Sequence, residues 1–224
     1  METQAPAPSL VPPGCRPRGL LLDAMGTLIT LNASVGTTYA AVAAEHGLLV
    51  DPAAIDGLFP GVYRAAPPLA FALADPQELL EAERGWWGDR IKEVFQSLDG
   101  SPEPSGDLLR ALFERFADPG LWRVYPDVPP CLAAWRRQGL RLAVVSNFDR
   151  RLHPLLQALG LAPFLERVIV SSEVGAAKPS AVPFQRALQA LELEPHQVWH
   201  VGDQAEDVEG AAWAGVRCLL LRRR

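Results

Sequence analysis

The segment Leu20–Leu31 reads LLLDAMGTLITL, an apolar run that ends at Asp23 and continues through Met25, Gly26 and Thr27. A carboxylate at the end of a buried strand can serve as a nucleophile. Glycine lets backbone come close to an anion, and a threonine hydroxyl donates to its oxygens. A helix cap or turn is the other role open to Asp23. Ser146 and Asn147 follow LAVV and supply a hydroxyl and an amide, the groups of a phosphate-binding turn or of an ordinary one. Lys178 stands in VGAAKPS, and Lys92 is its only companion in a chain that otherwise uses arginine. A compact ammonium fits between a carboxylate and a phosphate more readily than a broad guanidinium; a surface position is the alternative. Finally, VWHVGDQAEDVEG sets Asp203 and Asp207 four residues apart at a strand-to-helix junction. Two carboxylates held together in a dry site repel unless a cation lies between them, and hard oxygen ligands with room left for water and phosphate favour Mg²⁺. Acids at a helix start also simply complement its dipole, which suffices for Glu206 and Glu209.

The elements that would position these residues are legible as five apolar runs: Gly19–Asp23, Leu140–Ser146, Arg167–Ser172, Val198–Asp203 and Val216–Leu221. None alternates cleanly, as expected of parallel strands buried on both faces. A helical pattern at Asp127–Gln138 precedes the second run, and others at Arg150–Leu159, Val182–Leu191 and Glu206–Ala214 separate the last four; three of these four patterns stop at a glycine. Strand alternating with helix predicts an α/β fold, a doubly wound, Rossmann-like parallel sheet. Ligands bind such sheets at the carboxyl ends of the strands, where Asp23, Ser146 and Asp203 converge. Residues 31–120 break the rhythm. They read as helices at Val35–His46, Ala54–Ala65, Gln77–Leu98 and Asp107–Ala117, an inserted α-helical cap over the site. The core is then 19–30 with 121–224, and 1–18 is a proline-rich, disordered leader without the apolar centre of a secretion signal.

The chain of 224 residues is 49% hydrophobic and 21% charged, with a formal net charge of −5. That balance suits a globular protein and gives no basic surface for nucleic acid. No stretch reaches the length of a membrane span. Arg222–Arg224 is the one basic run and reads as a solvated end. Cys15, Cys131 and Cys218 form no CxxC pair; they read as reduced thiols of a cytoplasmic protein, the last two as small core residues. Trp86 and Trp87 read as helix-packing aromatics, with the lining of a pocket under the insertion as the alternative, and His200 reads as a packed strand histidine. Asp149 and Arg150-Arg151 follow Ser146-Asn147 closely enough to touch a substrate.

Taken in order, Asp23-Ala24-Met25-Gly26-Thr27-Leu28, Ser146-Asn147, Lys178-Pro179 and Gly202-Asp203 through Asp207 resemble the four motifs of the haloacid dehalogenase superfamily. The resemblance spans Gly19 to the C-terminus, and the helical insertion matches the cap that family places after its first strand. SNFDRRLHPLLQALGL, SSEVGAAKP and RGWWGDRI narrow it to the subfamily of haloacid dehalogenase-like hydrolase domain-containing protein 3 and its bacterial relatives. The resemblance implies a hydrolase in which Asp23 attacks phosphorus and Lys178 assists, with Thr27, Ser146 and Asn147 holding a small phosphorylated molecule. It implies Mg²⁺ on Asp23, the main-chain carbonyl of Met25, Asp203 and, as ligand or support, Asp207. Phosphatases of the family carry a second Asp where Met25 stands, to protonate the leaving oxygen and later activate water. Methionine does neither, so the resemblance implies weak turnover or a restriction to acyl and aryl phosphates. A member that binds a phosphorylated ligand or a protein partner without turnover stays open. So does a 2-haloacid dehalogenase, whose leaving halide takes no proton and whose cap arginine would have to be Arg64. A phosphonate hydrolase would need a cap lysine, and Lys92 stands too far along.

Overall fold

The computed structural model describes residues 16–98, 100 and 103–223; the leader through Cys15 lies outside the described residues. The five apolar runs form β1 (Gly19–Leu22), β4 (Arg141–Ser146), β5 (Arg167–Val170), β6 (Val198–Gly202) and β7 (Arg217–Leu220). They lie parallel in the order β5-β4-β1-β6-β7. Neighbouring residues of one strand serve opposite cores, which is why the runs do not alternate. Leu20, Leu22, Leu142 and Val144 pack on one side, with Leu132 of α5 (Val128–Arg137) and Leu152, Leu155 and Leu156 of α6 (Leu152–Ala158). Leu21, Ala143 and Val145 pack on the other, with Phe184 and Ala187 of α8 (Val182–Ala190) and Ala211 of α9 (Ala205–Trp213). Fully burying a leucine is worth roughly 1.5–3 kcal/mol, so the two cores together hold the sheet.

Register sets the site. Leu22 pairs with Val144 on one side and Val201 on the other, and the Asp23 N–H donates to the Val201 carbonyl at 2.9 Å. Asp23 therefore emerges between the ends of β4 and β6. Chain order reverses direction across the sheet at β1, the crevice where such folds bind ligands.

The insertion folds as α1 (Val35–Glu45), α2 (Pro52–Ala65), α3 (Pro76–Gln96) and α4 (Gly106–Arg115) around its own core of Tyr39, Ile55, Ile91, Val94, Phe95, Leu108 and Leu112. Asp51, Asp75 and Ser105 cap the last three N-termini, each accepting from a first-turn N–H. Two strands were not anticipated. β2 (Ile29–Leu31) and β3 (Trp122–Val124) pair antiparallel where the chain leaves and re-enters the core. Three-residue strands are too short to show a period.

Three further expectations are corrected. The third apolar run does not stay extended to Ser172, because α7 (Ser171–Val174) begins there. The tail is not wholly solvated: Arg223 binds Asp127 and the Thr27 carbonyl, each at 2.5 Å. Cys131 and Cys218 are free but only half-buried, and burial pushes the Cys218 thiol up to about 11.

Leu21 is wholly buried at the centre of the sheet, whereas Leu49 is 92% exposed. Leu21→Ala is expected to lower the unfolding free energy by about 2–5 kcal/mol in urea titration, and Leu49→Ala by less than about 0.5. Equal effects would contradict the core assignment.

Candidate active site

The motif residues meet at the carboxyl edge of the sheet. Asp23, Lys178 and Asp207 are buried, and Asp203 is half-buried beside them. Lys178 Nζ donates to Asp23 Oδ1 at 2.7 Å and to Asp207 Oδ1 at 2.5 Å. The second oxygen of Asp23 has no hydrogen-bond donor among the described residues, and the side chain lines an open cavity. Asp203 accepts from Thr27 Oγ1 at 3.2 Å and from the Gln204 side chain at 2.5 Å. Carboxylate oxygens of Asp23, Asp203 and Asp207 lie within 4.8 Å of one another. Three carboxylates against one ammonium leave excess negative charge in a poorly solvated place, and a hard divalent cation fits that oxygen set.

Glycines make the crowding possible. Gly26 sits at φ +82°, and a Cβ there would collide with the Asp203 carboxylate; one on Gly202 would collide with Asp207. Any other residue at 26 would also be strained.

Not every residue expected to face a ligand does so. Asn147 Nδ2 donates to the Lys178 carbonyl at 3.0 Å and its Oδ1 accepts from the Lys178 N–H at 2.7 Å. It holds the lysine's backbone. Thr27 turns its hydroxyl to Asp203. Asp207 spends one oxygen on Lys178 and His200 and the other on the Gln204 N–H at 3.0 Å, which leaves it the least available of the three carboxylates. Ser146 is buried at the end of β4 and lines the cavity with Lys178.

Burial pushes the Asp23 carboxyl above its ordinary range, Lys178 pulls it back and Asp207 raises it again. Burial also works against charge on Lys178, but Asp23 and Asp207 outweigh it and the ammonium is held above its ordinary value. Asp207 is well below the carboxylate range: burial opposes this, yet the hydrogen bond from His200 and the charge of Lys178 prevail.

His200, read from sequence as packed, is wholly buried with Nε2 2.8 Å from Asp207 Oδ1. Against a carboxylate that nitrogen carries the proton, and buried Nδ1 has no partner among the described residues. An isolated strand histidine gives no sign of a carboxylate seven residues on. The insertion also reaches the site. Trp87 Nε1 donates to Asp149 Oδ2 at 2.7 Å, and Asp149 is gripped by Arg151 Nε at 2.8 Å and Nη2 at 2.6 Å. Asp149 is thus fully engaged and not a replacement acid. Glu83 of α3 is wholly buried and accepts from the Arg150 N–H and Nε, both at 3.1 Å, and from Ser172 Oγ at 2.7 Å. These bonds clamp the insertion over the sheet edge, and between the two lies an open cavity of about 600 Å³. Asp23 and Met25, the latter 45% exposed, line it, as do Arg64, Tyr63 and Trp87.

A family model described as haloacid dehalogenase-like hydrolase matches residues 17–215, and the chain belongs to that family of hydrolases. It is 35% identical over 207 residues to haloacid dehalogenase-like hydrolase domain-containing protein 3 of Mus musculus, covering 91% of this chain and 81% of that protein. It is 33% identical over 184 residues to a plasmid-encoded phosphoglycolate phosphatase of Cupriavidus necator, covering 79% and 77%. Among solved structures, CbbY from Rhodobacter sphaeroides in complex with phosphate aligns with a TM-score of 0.65 at 21% identity, over 91% of this chain and 85% of that one.

The folded state binds a proton at Asp23 more tightly than the unfolded chain does, so this group lowers stability as pH rises; Asp207 acts oppositely. In chelator at pH 7, Lys178→Met should lose about 3–5 kcal/mol of unfolding free energy by leaving two buried carboxylates face to face. The deficit should shrink as pH falls and Asp23 takes a proton. A deficit that grows on acidification would contradict the assigned charges.

Proposed function

We propose that the chain is a phosphatase-like hydrolase whose nucleophile is Asp23 and whose leaving group departs without protein-supplied protonation. The observation that carries this reading is the free oxygen of Asp23 facing a cavity beside Lys178, with Met25 where a proton donor would be needed. Residues 31–120 act as the cap and the rest of the described chain as the core. Asp23 and Asp203 with the Met25 carbonyl would hold Mg²⁺, supported by Asp207; when bound, the ion screens the approach of carboxylate to phosphoryl group.

Lys178 and Ser146 orient the phosphoryl oxygens, while Asn147 fixes Lys178 and Thr27 fixes Asp203. The Asp23 oxygen attacks phosphorus, the bond to the leaving oxygen breaks, and its electron pair leaves with that oxygen. Water then attacks the aspartyl-phosphate at phosphorus, releasing phosphate and restoring the carboxylate. General acid–base help is worth about 10²–10⁴-fold. Without it, alkyl phosphates react poorly and hydrolysis of the phosphoenzyme slows. Free thiols at Cys131 and Cys218 suit the reducing cytoplasm, where this reading places the protein. No helix among the described residues is long and apolar enough to cross a membrane.

Phosphate release from acetyl phosphate is expected to require Mg²⁺, to vanish in Asp23→Asn and to rise at least tenfold in Met25→Asp. No wild-type turnover, with activity only in Met25→Asp, would make this a phosphate-binding protein on a disarmed site. Because Arg64 lines the cavity, a second reading is dehalogenation; chloride release from 2-chloropropionate that survives chelator would establish it instead.

A further inference from the structure

We propose that the phosphorylated ligand of this site is a small aryl phosphate, a free molecule whose ring oxygen carries the phosphoryl group and whose ring lies against the cap. The proposal rests on the phosphate-site reading above. Beyond the acidic floor, the cavity of about 600 Å³ is walled by Tyr39, Phe59, Tyr63, Trp87, Phe113 and Phe116. That volume suits a small ligand rather than a peptide.

The wall is continuous. Tyr39 meets Phe59 edge-on at 6.0 Å, Phe59 stacks with Tyr63 at 5.9 Å, and Tyr63 stacks with Trp87 at 6.1 Å between ring centres. Such spacings favour a further ring offered flat or edge-on. Its polar handles are few: the Tyr39 and Tyr63 hydroxyls, the Trp87 indole and the Arg151 guanidinium. The Trp87 N–H is spent on Asp149. The Arg151 guanidinium is spent on Asp149 and the Phe113 carbonyl, and lies 3.9 Å over the Phe113 ring. The remaining charged lining residues away from the acidic floor, Arg64 and Glu206, are exposed. A sugar or hydroxy-acid body would leave most of its polar groups without partners against this wall of rings, a cost an unsubstituted ring avoids.

Met25 points to the same class by a separate route. A phenol loses its proton near pH about 10, as tyrosine does, whereas water holds its own to about 15.7 and alkanols behave like water. An aryl oxide therefore leaves without a donor and an alkoxide does not. In the balanced reaction the P–O bond to the ring oxygen breaks, the pair leaves on the aryl oxide, and that oxide takes its proton from solvent. Water then releases inorganic phosphate from Asp23.

The test is titration of the wild-type chain, in Mg²⁺, with phenylphosphonate, cyclohexylphosphonate, methylphosphonate and phosphonoacetate, none of which can be hydrolysed. Phenylphosphonate should bind at least tenfold tighter than the other three, and Trp87→Ser with Tyr63→Ser should each remove most of that preference. Phenyl phosphate should also exceed cyclohexyl phosphate in kcat/KM by at least about a hundredfold. A phosphotyrosyl peptide should not compete. Equal affinities, a cyclohexyl ring bound as tightly as phenyl, tighter phosphonoacetate, or competition by the peptide would each overturn the proposal. Acetyl phosphate, which carries no ring, separates the two readings. Its turnover together with indifferent phosphonates sinks the aryl proposal alone, and ring selectivity without its turnover sinks the hydrolase reading alone.

Discussion

One buried cation holds the site together. Lys178 stands between Asp23 and Asp207, two carboxylates that water barely reaches, and neither would stay ionised and close to the other without it. Much of the surrounding structure serves that placement. Asn147 grips the lysine's backbone from the end of β4, and His200 inside β6 fixes the far carboxylate. The small residues at 26 and 202 leave space for the acids. One ammonium does not balance three carboxylates, so the edge of the sheet keeps an excess of negative charge facing the cavity. That excess is the physical reason a divalent cation belongs in the account.

The fold was largely legible because its strands serve two cores at once. Leu20, Leu21 and Leu22 are all apolar since successive side chains enter opposite layers, and such runs stand out in the sequence. Residues at their ends stood out too, since Asp and Ser close these runs, and Lys178 stood out as one of only two lysines. What sequence hid is what depends on distant partners. The hairpin of β2 and β3 is too short to have a period. Glu83 looks like one acid among many on a long helix, yet it is wholly buried against Arg150 and Ser172. Asn147 and Thr27 have the right chemistry for a phosphate but spend it on Lys178 and Asp203. Trp87 had to be placed before lining the cavity could be preferred to helix packing.

In the proposed reading, Met25 and the helical insertion impose the same restriction from opposite sides. The thioether supplies no proton, and Asp149, which follows Ser146-Asn147, is held by Arg151 and Trp87. The wall above offers rings and few unused polar groups. Both limit what can be bonded to the phosphoryl group, the first through leaving-group chemistry and the second through shape and solvation. Neither depends on the other, since Met25 follows β1 and the aromatic wall is built largely from the insertion.

The most direct measurement is rapid acid quench of the chain after mixing with acetyl phosphate and Mg²⁺, followed by peptide mass spectrometry. If Asp23 is the nucleophile and nothing replaces the missing base, the phosphoryl adduct should accumulate on the peptide containing Asp23. It should drain faster in Met25→Asp and be absent in Asp23→Asn. Steady turnover with no adduct on that peptide, unchanged by Asp23→Asn, would contradict the account at its centre.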